Sequence, residues 1–190
     1  MASPTLAARS AFTHATPIAA AGLVIRPHET LTMASITASK GKVDQVRAVI
    51  REHYGAELTN TPQRVTGKDI AFVWTGPDQW TAVAERGENR DIELELKPLL
   101  AGLAAIVDQS DARAVVQISG PRAREVLAKG VPIDLHPREF PRNGVAITHA
   151  SHIGIILWQM DDKPTYEIAV FRSFADSLWH WLESSAAEFV

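Results

Sequence analysis

The chain has 190 residues, 46% of them hydrophobic and 22% charged, with a formal net charge of −3 and no cysteine. That length allows one domain or two small ones packed together, with a sizeable core. The acidic balance and the lack of a long basic run argue against general nucleic-acid binding. The missing cysteines remove disulfides, thiolate catalysis and cysteine-ligated zinc or iron–sulfur sites.

Residues 1–30 are rich in Ala, Ser and Thr. The apolar patch 18–25 is short and alanine-heavy, with no charged stretch directly before it, which argues against a signal peptide. No segment is long enough to cross a membrane, and the expected location is cytoplasmic. Arg9, Arg26 and the absence of acids before Glu29 give the segment a faint transit-peptide character. The preferred reading is an extended arm over 1–30. Its apolar groups (Leu6, Phe12, Ile18, Leu23, Val24 and Ile25) would lie along a partner's surface or the chain's own.

From there the chain alternates short elements. LTMASITAS (31–39) is β-like, and Val43, Val46, Val49, Ile50 and Tyr54 recur at helical spacing before a stop at Gly55. Residues 58–68, with Pro62, read as a polar loop. Residues 70–74 and 80–84 read as strands about a turn at Gly76-Pro77-Asp78. Ile92, Leu94 and Leu96 alternate as in a strand, while Leu96, Leu99, Leu100 and Leu103 keep helical spacing. A helix over most of 92–103, irregular near Pro98, is expected. Residues 104–108 form a short strand.

The stretch VDQSDARAVVQISGPRAREVLAKGVPIDLHPREFP (107–141) reads strand, tight turn, short helix, stop and loop. Pro121 suits the first helical position, and Gly130 is expected to close the helix in the left-handed conformation. Residues 145–149, 153–160 and 166–171 are three further strands. Ser173 with Asp176 marks a last helix, whose core face is expected to hold Phe174, Leu178, Trp181, Leu182 and Phe189. The pattern implies an α+β fold. Two small strand–helix–strand–strand–helix halves, 31–107 and 108–190, are expected to carry antiparallel or mixed sheets, with strand exchange across the boundary left open.

Little in this order carries chemistry. His149 and His152, three apart in a strand-like run, would point to opposite faces, so strand-end polarity outweighs a metal pair. Asp134 and His136 fit loop-backbone partners better than an acid–base pair, and Asp108, Ser110, Asp111 and Arg113 fit a turn. No catalytic, cofactor-binding or metal-ligating residue is assigned. Of five tryptophans, Trp74, Trp158 and Trp181 are expected in the core. Trp80 and Trp179, with Phe12, Ile18 and Leu23 of the arm, are expected at a partner surface.

Three stretches carry a resemblance: 107–141, WTGPDQW (74–80) and PTYEIAVFRSFADSLWHWL (164–182). They resemble the gamma subunit family of heterotetrameric sarcosine oxidase. More distantly, the strand–SGP–helix unit is similar to the folate-dependent aminomethyltransferases, including the glycine-cleavage T-protein. The resemblance implies a subunit, beside alpha, beta and delta partners, of a complex that oxidatively demethylates sarcosine to glycine and forms hydrogen peroxide. Tetrahydrofolate would be its co-substrate. In that family FAD, FMN and NAD sit in the larger subunits and zinc in the smallest, so this chain would hold no cofactor of its own. A freestanding aminomethyltransferase is the alternative. Against it, the apolar middle of HIGIILWQM (152–160) offers no carboxylate where such enzymes place an aspartate. An interaction domain of an unrelated assembly is the third reading.

Overall fold

The structure, a computed structural model, describes residues 9–88 and 90–190. The first strands of the described residues are β1 (Ile18–Ala20) and β2 (Leu23–Pro27). They do not join the elements that follow them. Those elements are β3 (Leu31–Ala38), α1 (Val43–Tyr54), β4 (Arg64–Gly67), β5 (Ile70–Gly76), β6 (Gln79–Glu85), α2 (Ile92–Leu99) and β7 (Ala104–Asp108). They build a five-stranded antiparallel sheet in the order β4-β5-β6-β3-β7. Local chemistry sets the ends of the helices. Gly55 takes φ 66° and returns its N–H to the Arg51 carbonyl at 2.9 Å, closing α1. Asp91 caps α2 by accepting from the N–H groups of Glu93 and Leu94.

The second half runs β8 (Arg113–Ser119), α3 (Ala123–Ala128), β9 (Val145–Ala150), β10 (Ile153–Gln159), β11 (Thr165–Phe171) and α4 (Ala175–Ala186). Its antiparallel sheet has the order β1-β2-β8-β11-β10-β9. The two halves share one plan. Each begins with a strand (β3, β8) that pairs on one side with the last strand of a three-stranded meander. On the other side β3 pairs with β7, which follows in sequence, whereas β8 pairs with β2, which precedes the entire first half. The segment read as an arm therefore completes the second sheet, apart from residues 1–8, with Leu6, which lie outside the described residues. Leu23 and Ile25 point into the second core and Val24 and Arg26 point away, the alternation a half-buried strand requires.

The fold is α+β with two antiparallel sheets. Helices α1 and α2 cover the outer face of the first sheet, and α3 and α4 that of the second. The inner faces meet directly through Met33, Val73 and Val83 of the first sheet and Val115, Val145, Ile156, Trp158 and Ala169 of the second. The layers run helix, sheet, sheet, helix.

Several local expectations are corrected. Residues 64–67 are an edge strand within the segment read as loop. Helix α2 spans Ile92–Leu99, short of Leu103, with Pro98 in its last turn and the Leu100 N–H still reaching the Leu96 carbonyl at 3.0 Å. The left-handed glycine near α3 is Gly120 (φ 105°), before the helix, and Gly130 is not in that conformation. A Cβ on Gly120 would stand 2.3 Å from the Gly22 carbonyl oxygen, so glycine lets β8 approach the β1–β2 turn. Gly130 instead makes room for Trp181, whose ring lies 2.8 Å from where a Cβ would be. The last helix begins after a 3-10 turn (Arg172–Phe174), with no capping bond from Ser173. Its buried stripe is Ala175, Leu178, Trp179, Leu182, Ser185 and Ala186. Phe174 is exposed and Trp181 only partly buried.

Candidate functional site

The seam between the sheets is apolar at its centre and polar at its ends. At one end a carboxylate is buried. Glu167, in the middle of β11 and facing the seam, is 2% exposed. His28 follows β2 directly, held by its N–H to the Val115 carbonyl at 2.8 Å. Its Nδ1 lies 2.6 Å from Glu167 Oε1, and its Nε2 lies 3.0 Å from Glu85 Oε1 on β6. Trp158 Nε1 donates to Glu167 Oε2 at 2.8 Å, Gln117 Nε2 to Oε1 at 3.4 Å, and Thr30 Oγ1 to Glu85 Oε2 at 2.7 Å. His28 therefore ties a carboxylate of one sheet to a carboxylate of the other.

A ring with a carboxylate at each nitrogen is best satisfied with both nitrogens protonated. The hydrogen bond to Glu167 raises the His28 pKa, burial opposes it, and Glu85 adds to the rise. Burial pushes Glu85 up, but the hydrogen bonds from Thr30 and His28 outweigh it and its pKa is lowered. Arg64 of β4 stands nearby. Burial lowers its pKa, with the Glu167 charge pulling it back up and Arg142 pushing it down. A cavity of about 490 Å³ opens beside the group, lined by Arg64, Asp69, Arg90 and Met160 among others.

The bonding of this cluster limits its chemistry. Both Glu167 oxygens already accept, and both His28 nitrogens face carboxylates. A general base needs a lone pair aimed at a substrate proton, and the buried Glu167 turns its oxygens to His28, Gln117 and Trp158. The arrangement is a clamp between sheets. At the other end of the seam a second cavity of about 480 Å³ is bordered by Thr37, Thr81, Arg113, His149 and Phe171.

The residues expected at a partner surface lie elsewhere. Trp80 is 1% exposed in the first core, its Nε1 donating to the Thr59 carbonyl at 2.9 Å. Trp179 is buried in the second core, edge-on to Phe12 at 5.9 Å between ring centroids, with its Nε1 on Glu183. Phe12 and Leu23 are buried in the same core, and Ile18 packs against it partly buried. Burial within the chain removes the first four as partner anchors. The physical reason lies in the layers. Sheets covered on both faces bury both sides of a strand, so the Trp80 side of β6 meets helices while Thr81 and Val83 meet the other sheet.

The remaining candidates are turn chemistry. Asp134 Oδ1 accepts from His136 N–H at 2.8 Å, and Asp108 Oδ1 accepts from Ser110 N–H at 2.9 Å. His149 is the last residue but one of β9 and His152 lies in the turn that follows, its ring nitrogen on Ser151 Oγ. Among the described residues no group of three or more His, Asp or Glu is placed to hold a metal. No described helix is long and apolar enough to cross a membrane. The sequence reading missed His28, Glu85 and Glu167. One signal was available: Glu167 is a lone acid in the apolar run TYEIAVF, and such a charge in a central strand requires a partner.

Comparison with known proteins decides the family. The profile of the sarcosine oxidase, gamma subunit family matches residues 41–188. The chain belongs to this family. It is 32% identical over 174 residues to the sarcosine oxidase subunit gamma of an Arthrobacter species, covering 90% of this chain and 83% of that one. It is 34% identical over 144 residues to the corresponding subunit of Corynebacterium sp. strain P-1, covering 75% and 70%. Among solved structures, it superposes on a chain of the heterotetrameric sarcosine oxidase from Corynebacterium sp. U-96, in complex with pyrrole 2-carboxylate. The TM-score is 0.82 at 28% identity, over 96% of both chains. The glycine-cleavage aminomethyltransferase T of Bartonella henselae superposes with a TM-score of 0.63 at 13% identity, over 86% of this chain and 46% of that one. That likeness shows that the sarcosine oxidase gamma family shares the aminomethyltransferase fold.

Proposed function

We propose that this chain is the gamma subunit of a cytoplasmic heterotetrameric sarcosine oxidase and that its role is to build and shape the complex. The complex would oxidatively demethylate sarcosine to glycine with formation of hydrogen peroxide. With tetrahydrofolate as co-substrate it would form 5,10-methylenetetrahydrofolate. FAD, FMN, NAD and zinc would reside in the alpha, beta and delta partners, and this chain would hold none. The observation that carries this reading is the superposition along 96% of both chains on a chain of such an oxidase. The buried polar cluster supports it, since its donors and acceptors are matched within the chain and it ties sheets together. Independent aminomethyl transfer is disfavoured on the same ground. Among the described residues that pair with the apolar β10, the carboxylate is Glu167, opposite Trp158 and already bonded to it.

Co-expression with alpha, beta and delta subunits of a sarcosine oxidase tests the proposal. The chain is expected to elute with the other three as one particle and to turn over no tetrahydrofolate-linked aminomethyl donor by itself. A chain that elutes alone, or that transfers the one-carbon unit unaided, contradicts it.

A further inference from the structure

We infer that the open end of the seam is a docking groove for an extended, acid-bearing segment of a partner subunit. The inference rests on the gamma-subunit reading and names the surface through which that reading would work. Arg113 opens β8 directly opposite Phe171 of β11, and its guanidinium carbon lies 3.8 Å from the Phe171 ring centroid. Stacking of this kind holds a guanidinium flat and leaves its N–H edge available. No carboxylate of the described residues lies within 4.0 Å of that edge, and no side-chain hydrogen bond uses it. Arg113 is nonetheless half withdrawn from water, and burial alone lowers its pKa with no acid to offset it.

The groove around Arg113 contains no acidic residue. Its ionisable members are Arg113 and His149, and the rest are hydroxyls, amides and apolar groups. The fixed charge in its lining is the Arg113 guanidinium, and the complement of that charge is an acid. The rim says what kind of anion fits. Phe171 and Ile147 are 52% and 53% exposed at its mouth. Val107, the cross-strand neighbour of Ser35, is equally open on the same face. Ser35, Thr37, Gln79 and Gln109 supply donors and acceptors between these apolar edges. Alternating apolar and amide-like contacts match a polypeptide carrying an aspartate or glutamate with apolar neighbours.

The test titrates the chain into the alpha, beta and delta subunits and, in parallel, melts the chain alone. Arg113→Glu is expected to weaken assembly at least about tenfold, because it sets like charges together, while the melt stays at the wild-type value. Ile147→Glu, at an exposed position of the edge strand β9, is expected to weaken assembly likewise. It decides the question if Arg113→Glu lowers the melt. Wild-type assembly by both variants overturns the docking groove and leaves the gamma-subunit reading standing. Failure of the wild-type chain itself to assemble overturns that reading and the groove with it.

Discussion

The two ends of the seam hold positive charge in opposite ways. At one end His28 lies between Glu167 and Glu85, so each ring nitrogen meets a carboxylate of a different sheet. At the other, Arg113 lies on the ring of Phe171 with no carboxylate of the described residues in reach. Both cations are partly withdrawn from water. The difference teaches where the chain's own folding ends. A desolvated charge with internal partners fastens the molecule, and a desolvated charge without them leaves a binding demand for something outside.

The strongest way to break the closed end is to remove what delivers His28 to it. Deleting residues 1–25 takes away β1, most of β2 and the buried side chains of Phe12, Leu23 and Ile25. Each such core side chain is worth about 2–5 kcal/mol, and a domain of this size holds only about 5–15 kcal/mol in all. Loss of the cooperative thermal transition of the second half is expected. An unchanged melt would make the segment the detachable arm that its composition suggests.

A smaller break removes one partner. Glu167→Ala leaves His28 Nδ1 and Trp158 Nε1 facing each other across a hole, which is expected to cost about 3 kcal/mol in chemical denaturation. Without effect, the clamp would not be holding the sheets.

The gentlest probe is pH. The folded-state pKa of His28 is raised above its usual 6.5, so its stabilisation is fully present below 6.5 and is lost as pH rises through the folded value. That of Glu85 is lowered from 4.5, so its share is present above 4.5 and is lost as pH falls through its folded value. The clamp is thus strongest between those two reference values. The Tm difference between wild type and His28→Gln is expected to be largest near pH 5.5 and to shrink towards alkaline pH. A difference that grows with pH would contradict the ion-pair account.

Much of the architecture was legible in sequence because it is local. Val46, Ile50 and Gly55 define α1, and the turn at Gly76-Pro77-Asp78 places β5 and β6. What escaped was nonlocal. Nothing in LVIRP says that β2 crosses the whole first half to pair with β8. The surface assignment of Trp80 failed because its sheet has a helix layer on one side and a sheet on the other, and that of Trp179 failed because the buried stripe of α4 runs through Ala175, Leu178, Trp179 and Leu182 instead of Phe174 and Trp181. The clamp escaped because its members lie 57 and 139 residues apart in sequence from His28. The lone acid in TYEIAVF marked only the need for a partner, and only the fold supplies its identity.

The central claim is that the two ends serve different purposes, one internal and one external. One paired measurement on Glu167→Gln and Arg113→Glu tests it most directly: the melt of the chain alone beside its affinity for the assembled partner subunits. The account predicts a crossing. Glu167→Gln lowers the melt and, at a temperature where it is folded, assembles like wild type. Arg113→Glu keeps the wild-type melt and loses at least about tenfold in assembly. Two variants that move both readouts together, or an Arg113→Glu chain that assembles normally, would contradict it.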